Sequence, residues 1–416
     1  MPVSTDTSIR SHTLANGLTL VGEPDTSFSS AAFNLLVPAG CVADPVGRPG
    51  LASLTCELML RGAGDRDNHA IINDLEHEGV DRSESVSVSQ AVFAGSGVAE
   101  SLEPALRIYA DVVRRPHLAP EQLEPSRAVC LQELQGIEDE PAHKLMQELR
   151  RQHYPAPWGR PSQGRAESLA QATIDEAREF HRRAYGPEGA ILAVAGSFDW
   201  QRLCDLAEEL FGDWPAPHPT PAEQPEQVAP VEHIPAETDQ SHIGIAFDSL
   251  PYRHPDYFQA WAAVGVLSGG MSSRLFTEVR EKRGLCYTVS ASLQSQRDRA
   301  AVFCYAGTSA ERAQETLDVT YAELVKLAAG VRPEELARLK ARIKSGLIMQ
   351  QESTSSRSGA LARDWRHLGR ARPVEELSAL IDAVTADSIN AYLAEHPPAG
   401  FTLVTLGREP LASPLT

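Results

Sequence analysis

The chain has 416 residues, a length that corresponds to about two or three domains. Hydrophobic residues make up 42% of it, which is enough for buried cores and excludes a wholly disordered protein. With 38 Lys and Arg against 56 Asp and Glu, the net charge is -18. This balance argues against a nucleic-acid-binding protein, because phosphate contacts require clustered cations.

The elements predicted for the first half of the chain are, in order, strands at 18–21 and 31–37, a helix at 50–60, an alternating strand pattern at 86–98, helices at 102–113 and 121–153, and a strand at 190–196. Prolines then recur from Asp213 to Pro235, and they deny backbone donors to helix or sheet. We therefore predict an extended linker at 216–232.

The second half repeats this plan, with a strand at 242–247, a helix at 256–267, strands at 288–293 and 301–306, long helices, and a final strand at 401–407. Strands mixed with long helices predict an α+β fold, in which helices cover one face of a largely antiparallel sheet. The similarity of the halves indicates an internal duplication. We predict two homologous domains, at 1–215 and 233–416.

The location of the protein is predicted from what the sequence lacks. No apolar run approaches the roughly 20 residues that span a bilayer, so we expect no membrane span. The first residues, Met-Pro-Val-Ser-Thr-Asp, do not form a secretory signal. The six cysteines are scattered without a CxxC pair, which fits reduced thiols. We therefore expect a cytoplasmic protein.

The segment from Gly50 to Gly62 reads Gly-Leu-Ala-Ser-Leu-Thr-Cys-Glu-Leu-Met-Leu-Arg-Gly. It resembles the metal-binding helix of the pitrilysin/insulinase family of metallopeptidases, the inverzincins, whose motif is HxxEH. In this register Ser53 and Glu57 replace the two histidine ligands, and Cys56 replaces the glutamate that serves as general base. Serine is a poor zinc ligand and a thiol is no substitute for a carboxylate base.

The resemblance also implies a third metal ligand, a glutamate on a downstream helix. The segment Ser-Arg-Ala-Val-Cys-Leu-Gln-Glu, which ends at Glu133, matches that helix, with Ser126 in place of its supporting acid. We expect a metal-free relic at Ser53, Cys56, Glu57 and Glu133, with no cofactor in this chain. A site in which Glu57 and Glu133 bind a harder cation is the alternative.

A second motif of the family lies in the other half of the chain. The run Leu-Phe-Thr-Glu-Val-Arg-Glu-Lys-Arg-Gly-Leu-Cys-Tyr resembles the family segment that holds substrate, and it places Arg280 and Tyr287 at that segment's paired positions. Arginine can donate to peptide carbonyls, and a tyrosine hydroxyl can donate to a developing oxyanion. The alternative is an ordinary charged helix end at 277–283, with Gly284 as its C′ residue and Tyr287 half-buried in a strand.

The resemblance extends over nearly the whole chain and implies a function. Some family members form heterodimers in which one subunit carries HxxEH and the other the Arg/Tyr pair. We therefore expect a zinc-free subunit, inactive alone, that pairs with an HxxEH-containing homologue in a zinc endopeptidase. Zinc is expected in that partner, and unfolded peptides are the expected substrate. The alternatives are a non-enzymatic scaffold or peptide-binding protein, which would be a homodimer, and an independent metallopeptidase that uses Glu57 and Glu133.

Overall fold

The computed structural model describes residues 8–217 and 232–415. They form two compact units, and each unit draws on both halves of the sequence. Of the described chain, the first unit contains residues 8–136, 160–217 and 349–373, and the second contains residues 137–159, 232–348 and 374–415. No helix in these ranges is both long and apolar enough to cross a bilayer.

The first half of the chain contains eight helices and eight strands within the described residues. The strands are β1 (Arg10–Thr13), β2 (Thr19–Pro24), β3 (Ser30–Val37), β4 (Gly62–Ala63), β5 (Arg66–Asp67), β6 (Asp81–Val86), β7 (Ala91–Val98) and β8 (Ile191–Gly196). The helices are α1 (Leu51–Met59), α2 (Asn68–His77), α3 (Leu102–Arg114), α4 (Leu123–Glu138), α5 (Pro141–His153), α6 (Ala166–Gln171), α7 (Ile174–Ala184) and α8 (Trp200–Phe211).

The second half repeats this alternation of strands and helices. Its strands are β9 (His233–Pro235), β10 (Gln240–Ser249), β11 (Cys286–Ser295), β12 (Ala300–Ser309) and β13 (Thr402–Gly407). Its α-helices are α9 (Tyr257–Ser268), α10 (Ala313–Lys326), α11 (Pro333–Gln351), α12 (Thr354–Leu368), α13 (Val374–Ala383) and α14 (Ala386–Glu395), and a π-helix spans Phe276–Glu281.

The first unit is built on a six-stranded sheet with the order β1-β2-β8-β3-β7-β6. All neighbours are antiparallel except β2 and β8. Alternate residues of β3 point to opposite faces, as the period of a strand requires. Phe33 and Leu35 belong to the main core, which includes α1 and α3, whereas Leu36 belongs to a smaller cluster with Leu361 of α12.

The second unit has a five-stranded sheet with the order β11-β12-β10-β13-β9, in which only β13 and β9 run parallel. Ile243 and Ile245 of β10 enter the core on one face. On the other face, Leu145 and Leu149 of α5 pack with Ala246. A Cβ at Gly244 would lie 3.1 Å from a methyl carbon of Leu149, so the absent side chain permits the close approach of α5.

Each unit thus receives one helix from the opposite half of the sequence. Helix α12 is held on the first sheet by an ion pair between Arg357 Nε and Glu23 Oε2 at 2.7 Å, and by a hydrogen bond of 3.0 Å from the Asn34 amide to Ser358. Helix α5 is held on the second sheet by a hydrogen bond of 3.0 Å between His153 Nδ1 and the Thr402 hydroxyl. Helices therefore cover both faces of each sheet.

The α+β class and the largely antiparallel sheets are confirmed, and the structure adds the helix on the second face. Two element predictions need correction. Most of the strand predicted at 86–98 is β7 (Ala91–Val98), but residues 87–90 form the turn that joins it to β6. The predicted helix at 121–153 is interrupted before Pro141, which begins α5 as its first residue. Most of the predicted linker at 216–232 lies outside the described residues, and the division at 1–215 and 233–416 stays a prediction.

Candidate functional site

The degenerate metal helix, α1, begins at a tightly defined position in the first unit. Gly50 precedes it with a φ of 99°, a conformation that favours glycine, and its backbone packs against Gly164. The buried carboxylate of Asp44 accepts hydrogen bonds from the backbone N–H groups of Gly50 at 2.8 Å and Ala52 at 2.7 Å. A carboxylate at a helix N-terminus satisfies unpaired donors and interacts favourably with the helix dipole.

The first two motif positions on α1 are occupied by side chains with other partners. The Ser53 hydroxyl donates a hydrogen bond of 2.6 Å to the backbone carbonyl of Ser162. Cys56 is buried, and burial raises the pKa of its thiol well above the ordinary value, while a contact with Tyr185 acts weakly in the opposite direction. A neutral, buried thiol is neither a zinc ligand nor a general base.

Glu57, at the second histidine position, forms an ion pair with Arg61, which follows the end of α1. Arg61 donates to Glu57 Oε1 from Nε at 2.8 Å and from Nη2 at 2.5 Å, and both side chains are about one-fifth exposed. Glu133 on α4 is close to this pair. Partial burial, and secondarily the Glu57 carboxylate, raise the pKa of Glu133. The structure therefore brings all four degenerate positions into one region of the first unit, with Arg61 as the counter-charge for Glu57.

This arrangement does not fit the zinc ion that the family motif would bind. Ser53 is committed to a backbone carbonyl, Glu57 to a guanidinium group, and Cys56 to a buried contact. Within residues 8–217 and 232–415, no group of three or more His, Cys, Asp or Glu side chains is placed to hold a metal ion. We derive no chemistry at this site that requires a bound metal.

Arg280, in the second unit, is positioned by an irregular helix. The π-helix at Phe276–Glu281 is marked by a hydrogen bond of 2.9 Å from the Lys282 N–H to the Thr277 carbonyl, five residues back. Such local widenings of a helix occur frequently at functional sites. Gly284 follows with a φ of 61°, as expected of a C′ residue.

Tyr287 is positioned by a second irregularity, a β-bulge at the start of edge strand β11. Cys286 pairs with Thr308 and Thr288 with Gly307, which leaves Tyr287 as the extra residue. A bulge re-aims the side chain of the bulged strand. Tyr287 is consequently 83% exposed, whereas the preceding Cys286 is buried. The alternative prediction, that Tyr287 is half-buried in a strand, is wrong.

The two irregularities bring Arg280 and Tyr287 together. The Arg280 guanidinium carbon lies 5.2 Å from the centre of the Tyr287 ring and 4.8 Å from that of Phe276. Cation–π contacts of this kind restrict the orientation of a guanidinium group. Among the described residues no carboxylate forms an ion pair with Arg280, because the nearby Glu278 pairs with Lys282 and Arg283. Its N–H donors remain available to a ligand.

Three contact residues were missed by the sequence analysis. Arg61 follows Glu57 by four residues and Phe276 precedes Arg280 by four, so the helical i, i+4 rule could have identified both contacts. The third is Tyr185, whose contact with Cys56 joins segments far apart in sequence. No local pattern signals that contact.

Comparison with known families gives matches in both halves of the chain. Residues 20–162 match the model described as Insulinase (Peptidase family M16), and residues 171–343 match the model described as Peptidase M16 inactive domain. An uncharacterised zinc protease of Mycobacterium tuberculosis is 29% identical over 399 residues, which cover 93% of this chain and 90% of the relative. A second one, from Bacillus subtilis, is 26% identical over 389 residues, or 92% and 94% of the two chains.

Solved structures show the same fold. A peptidase M16 inactive domain from Pseudomonas fluorescens superimposes with a TM-score of 0.87 at 23% identity and covers 98% of this chain and 100% of its own. A protease from Helicobacter pylori gives a TM-score of 0.86 at 19% identity, with coverages of 96% and 99%. These structures share the fold, and the two segments matched by family models, which together cover residues 20–162 and 171–343, show that the chain belongs to the M16, or insulinase, family of peptidases.

Proposed function

We propose that this protein is the zinc-free subunit of a heterodimeric zinc endopeptidase of the M16 family. The observation that carries the proposal is the Arg280–Tyr287 pair, stacked at 5.2 Å and exposed, in a chain whose metal helix has neither motif histidine. Arg280 would hold a carbonyl of the bound peptide, and the Tyr287 hydroxyl would donate to the carbonyl oxygen as it becomes an oxyanion. The first unit would contribute part of the chamber wall.

The geometry of the pair supports a binding role over a purely structural one. A structural arginine is normally compensated by a carboxylate, as Arg274 is by Glu335 in the same unit, with N–O distances of 2.8 and 2.9 Å. Arg280 is compensated by aromatic rings alone among the described residues. Two backbone irregularities expose both side chains, and a scaffold has no need of either.

The partner should carry the intact HxxEH motif and the zinc ion. The net charge of -18 favours unfolded peptides rich in basic residues. The proposal includes a cytoplasmic location, which the scattered, unpaired cysteines support. The competing proposal is a scaffold or peptide-binding homodimer. A chain of complex III2 from Candida albicans, with a TM-score of 0.80 at 15% identity, gives that alternative a precedent for the fold in an assembly.

The experiment combines the purified chain with an HxxEH-containing M16 protein from the same organism. The chain alone should retain no zinc and cleave no unfolded peptide, and the mixture should form a complex in size-exclusion chromatography and cleave. Within the complex, Tyr287→Phe should lower kcat by on the order of 100-fold, as expected when one oxyanion donor is removed. Arg280→Lys should chiefly raise KM, because lysine keeps the positive charge but lacks the parallel N–H donors of the guanidinium group.

Arg283→Gln is the matched control, since it removes a cation from the same helix end whose partner is Glu278. It should leave kcat and KM within about twofold. Zinc-dependent cleavage by the chain alone would overturn the proposal. An active complex with an unaffected Tyr287→Phe variant would contradict the donor role and leave the pairing intact. Failure to form any complex would favour the homodimeric scaffold.

A further inference from the structure

Two arginines of the second unit, Arg150 and Arg299, are distinct from the Arg280 pair and form no ion pair with any described residue. Arg280 and the exposed Arg297 also lack an ion pair among the described residues, so the surroundings of Arg150 and Arg299 are what set these two apart. Both groups lie against aromatic rings, Phe303 and Trp158, of the cluster that contains the buried Tyr154.

Arg150, near the end of α5, is partly buried against the second sheet. Its guanidinium carbon lies 5.5 Å from the centre of the Phe303 ring, and its Nε donates to Gln294 Oε1 at 3.1 Å. Burial lowers the pKa of Arg150, as expected when a cation is desolvated without a carboxylate partner. With Nε occupied by Gln294, the Nη1 and Nη2 end of the group is free to form two parallel hydrogen bonds.

Arg299 lies in the hairpin turn between β11 and β12. Its guanidinium carbon is 4.6 Å from the centre of the Trp158 ring, in the segment that follows α5. The acidic residue beside it, Asp298, pairs with Arg253 at 2.6 Å and not with Arg299. Stacking on an indole ring fixes the plane of the guanidinium group and leaves its N–H edge exposed.

Tyr154 belongs to the same side-chain cluster as the two aromatic rings, because its ring lies 5.7 Å from that of Phe303 and Trp158 packs against this cluster. Tyr154 is only 6% exposed, and its hydroxyl has no hydrogen-bond partner among the described residues. Burial and then Asp248 raise the pKa of Tyr154, while Arg299 and Arg150 act in the opposite direction. A buried hydroxyl without a partner destabilises the folded state unless a ligand or water satisfies it.

Asp248, the carboxylate that raises the pKa of Tyr154, does not neutralise this cluster. Asp248 lies 3.2 Å from His153 Nε2 through Oδ1, and its side chain is otherwise 88% exposed. His153 donates or accepts on its other nitrogen with Thr402, so this pair is part of the contact between α5 and the sheet. Two cations against one carboxylate leave a net positive charge around the Tyr154 hydroxyl.

We propose that Arg150, Arg299 and Tyr154 form a binding site for a small oxyanion, a carboxylate or a phosphate group. The two guanidinium groups would donate to its oxygens, and the tyrosine hydroxyl would supply a third donor. An arginine stacked on an aromatic ring is suited to such groups, because the parallel N–H donors of its planar guanidinium group match the spacing of their oxygens. The site is independent of the proposed subunit role, because none of its residues belongs to the Arg280 pair.

The test uses the full chain labelled with 5-fluorotryptophan, in which the Trp158 resonance is assigned from the Trp158→Phe variant. Inorganic phosphate and acetate are titrated separately, with chloride added to keep the ionic strength constant. We expect a saturable shift of the Trp158 resonance with one or both probes. A response to phosphate alone identifies a phosphate site, and a response to acetate alone identifies a carboxylate site.

Arg299→Gln should lower the affinity for the responding probe about tenfold or more, and Tyr154→Phe should lower this affinity several-fold. Arg297→Gln is the matched control, because it removes the same charge from an exposed position of the same turn. The absence of a saturable shift with both probes would overturn the proposal. So would an equal loss with Arg297→Gln and Arg299→Gln, since that indicates general screening. Arg150→Gln should also weaken binding of the responding probe about tenfold or more. If that variant is unstable, Arg150→Lys replaces it, and its thermal midpoint, measured in phosphate and in chloride, should rise less in phosphate than that of the parent chain.

Discussion

Replacing Glu335 by glutamine tests how the segment that carries Arg280 is anchored. Arg274, two residues before the π-helix, donates to both carboxylate oxygens of Glu335 at 2.8 and 2.9 Å and to the Gly330 carbonyl at 2.8 Å. The backbone N–H of Arg332 donates to the same carboxylate at 2.9 Å. The Glu335 side chain is 6% exposed, so these bonds are protected from solvent.

The contribution of the Glu335 carboxylate to the free energy of unfolding follows from its pKa. Burial alone would raise this pKa, but the hydrogen bonds from Arg274 and Arg332 outweigh burial and lower it from 4.5 to about 2. At about 1.4 kcal/mol per pKa unit, the ionised carboxylate contributes about 3 kcal/mol to the free energy of unfolding at pH 7. A lowered pKa in the folded state gives stability that is present above pH 4.5 and is lost as the pH falls through 2. At pH 3 about 1.4 kcal/mol should remain.

Hydrogen exchange on peptides of the second unit measures this contribution without assuming that the whole chain unfolds in one step. We expect Glu335→Gln to lower the free energy of opening around α11 and the π-helix by about 3 kcal/mol at pH 7, and by less than half of that at pH 3. Glu334→Gln is the matched control, because it removes an exposed acid from the same helical turn.

Two results would refute this reasoning. One is a loss in Glu335→Gln no larger than in Glu334→Gln, which would reduce the ion pair to a surface interaction. The other is a loss of equal size at pH 7 and pH 3, because the ionised carboxylate would then not be its source. A loss that is larger at pH 7 than at pH 3, accompanied by a higher KM in the proposed complex, would connect the anchor to the position of Arg280.

Restoring the HxxEH motif with Ser53→His, Cys56→Glu and Glu57→His should create a zinc site with Glu133 as third ligand. We expect the triple variant to retain one zinc ion per chain after dialysis and the unsubstituted chain to retain none. Adding Glu133→Gln should remove the ion, and retention of zinc in that variant would contradict this ligand set. Cys204 is the one partly exposed cysteine of the six, all of which lie in the described residues, so an alkylating reagent should modify it first in the native chain. Mass spectrometry measures this order, and earlier modification of a buried cysteine would contradict the burial pattern.

The sequence predicted the individual strands and helices better than it predicted which unit each helix belongs to. Alternating or apolar runs identified the central strands, but the break before Pro141, where α5 begins, was missed although proline is a local signal. Helix α12 could not be assigned to the first sheet in advance, because its anchors join residues more than three hundred positions apart, such as Glu23 and Arg357. The turn between β6 and β7 was missed because its residues, Ser87 to Gln90, continue the alternation of the strands that flank it.

The Arg280 and Tyr287 pair was predicted from the resemblance of its segment to the family's substrate-holding segment, but its stacking was not predicted. Seven residues separate the two side chains in sequence, and this spacing places them together only through the π-helix and the bulge. Both features arise from backbone hydrogen bonds that depend on the neighbouring strand and helix, so a pattern of side chains does not reveal them. The contact with Phe276, four residues before Arg280, needed no such information.

The position of α1 explains why its motif residues could change without loss of the fold. The helix is fixed by Asp44 at its start and by the contact of Gly50 with Gly164, none of which belongs to the metal motif. At its other end Gly62 has a φ of 148°, and a Cβ there would lie 2.6 Å from a ring nitrogen of His117. These constraints keep the two glycines in register whatever occupies positions 53, 56 and 57, and they leave Arg61 free to compensate Glu57. Helix position and metal binding are therefore separable properties of this segment, and the motif could be lost while the family resemblance around it remained.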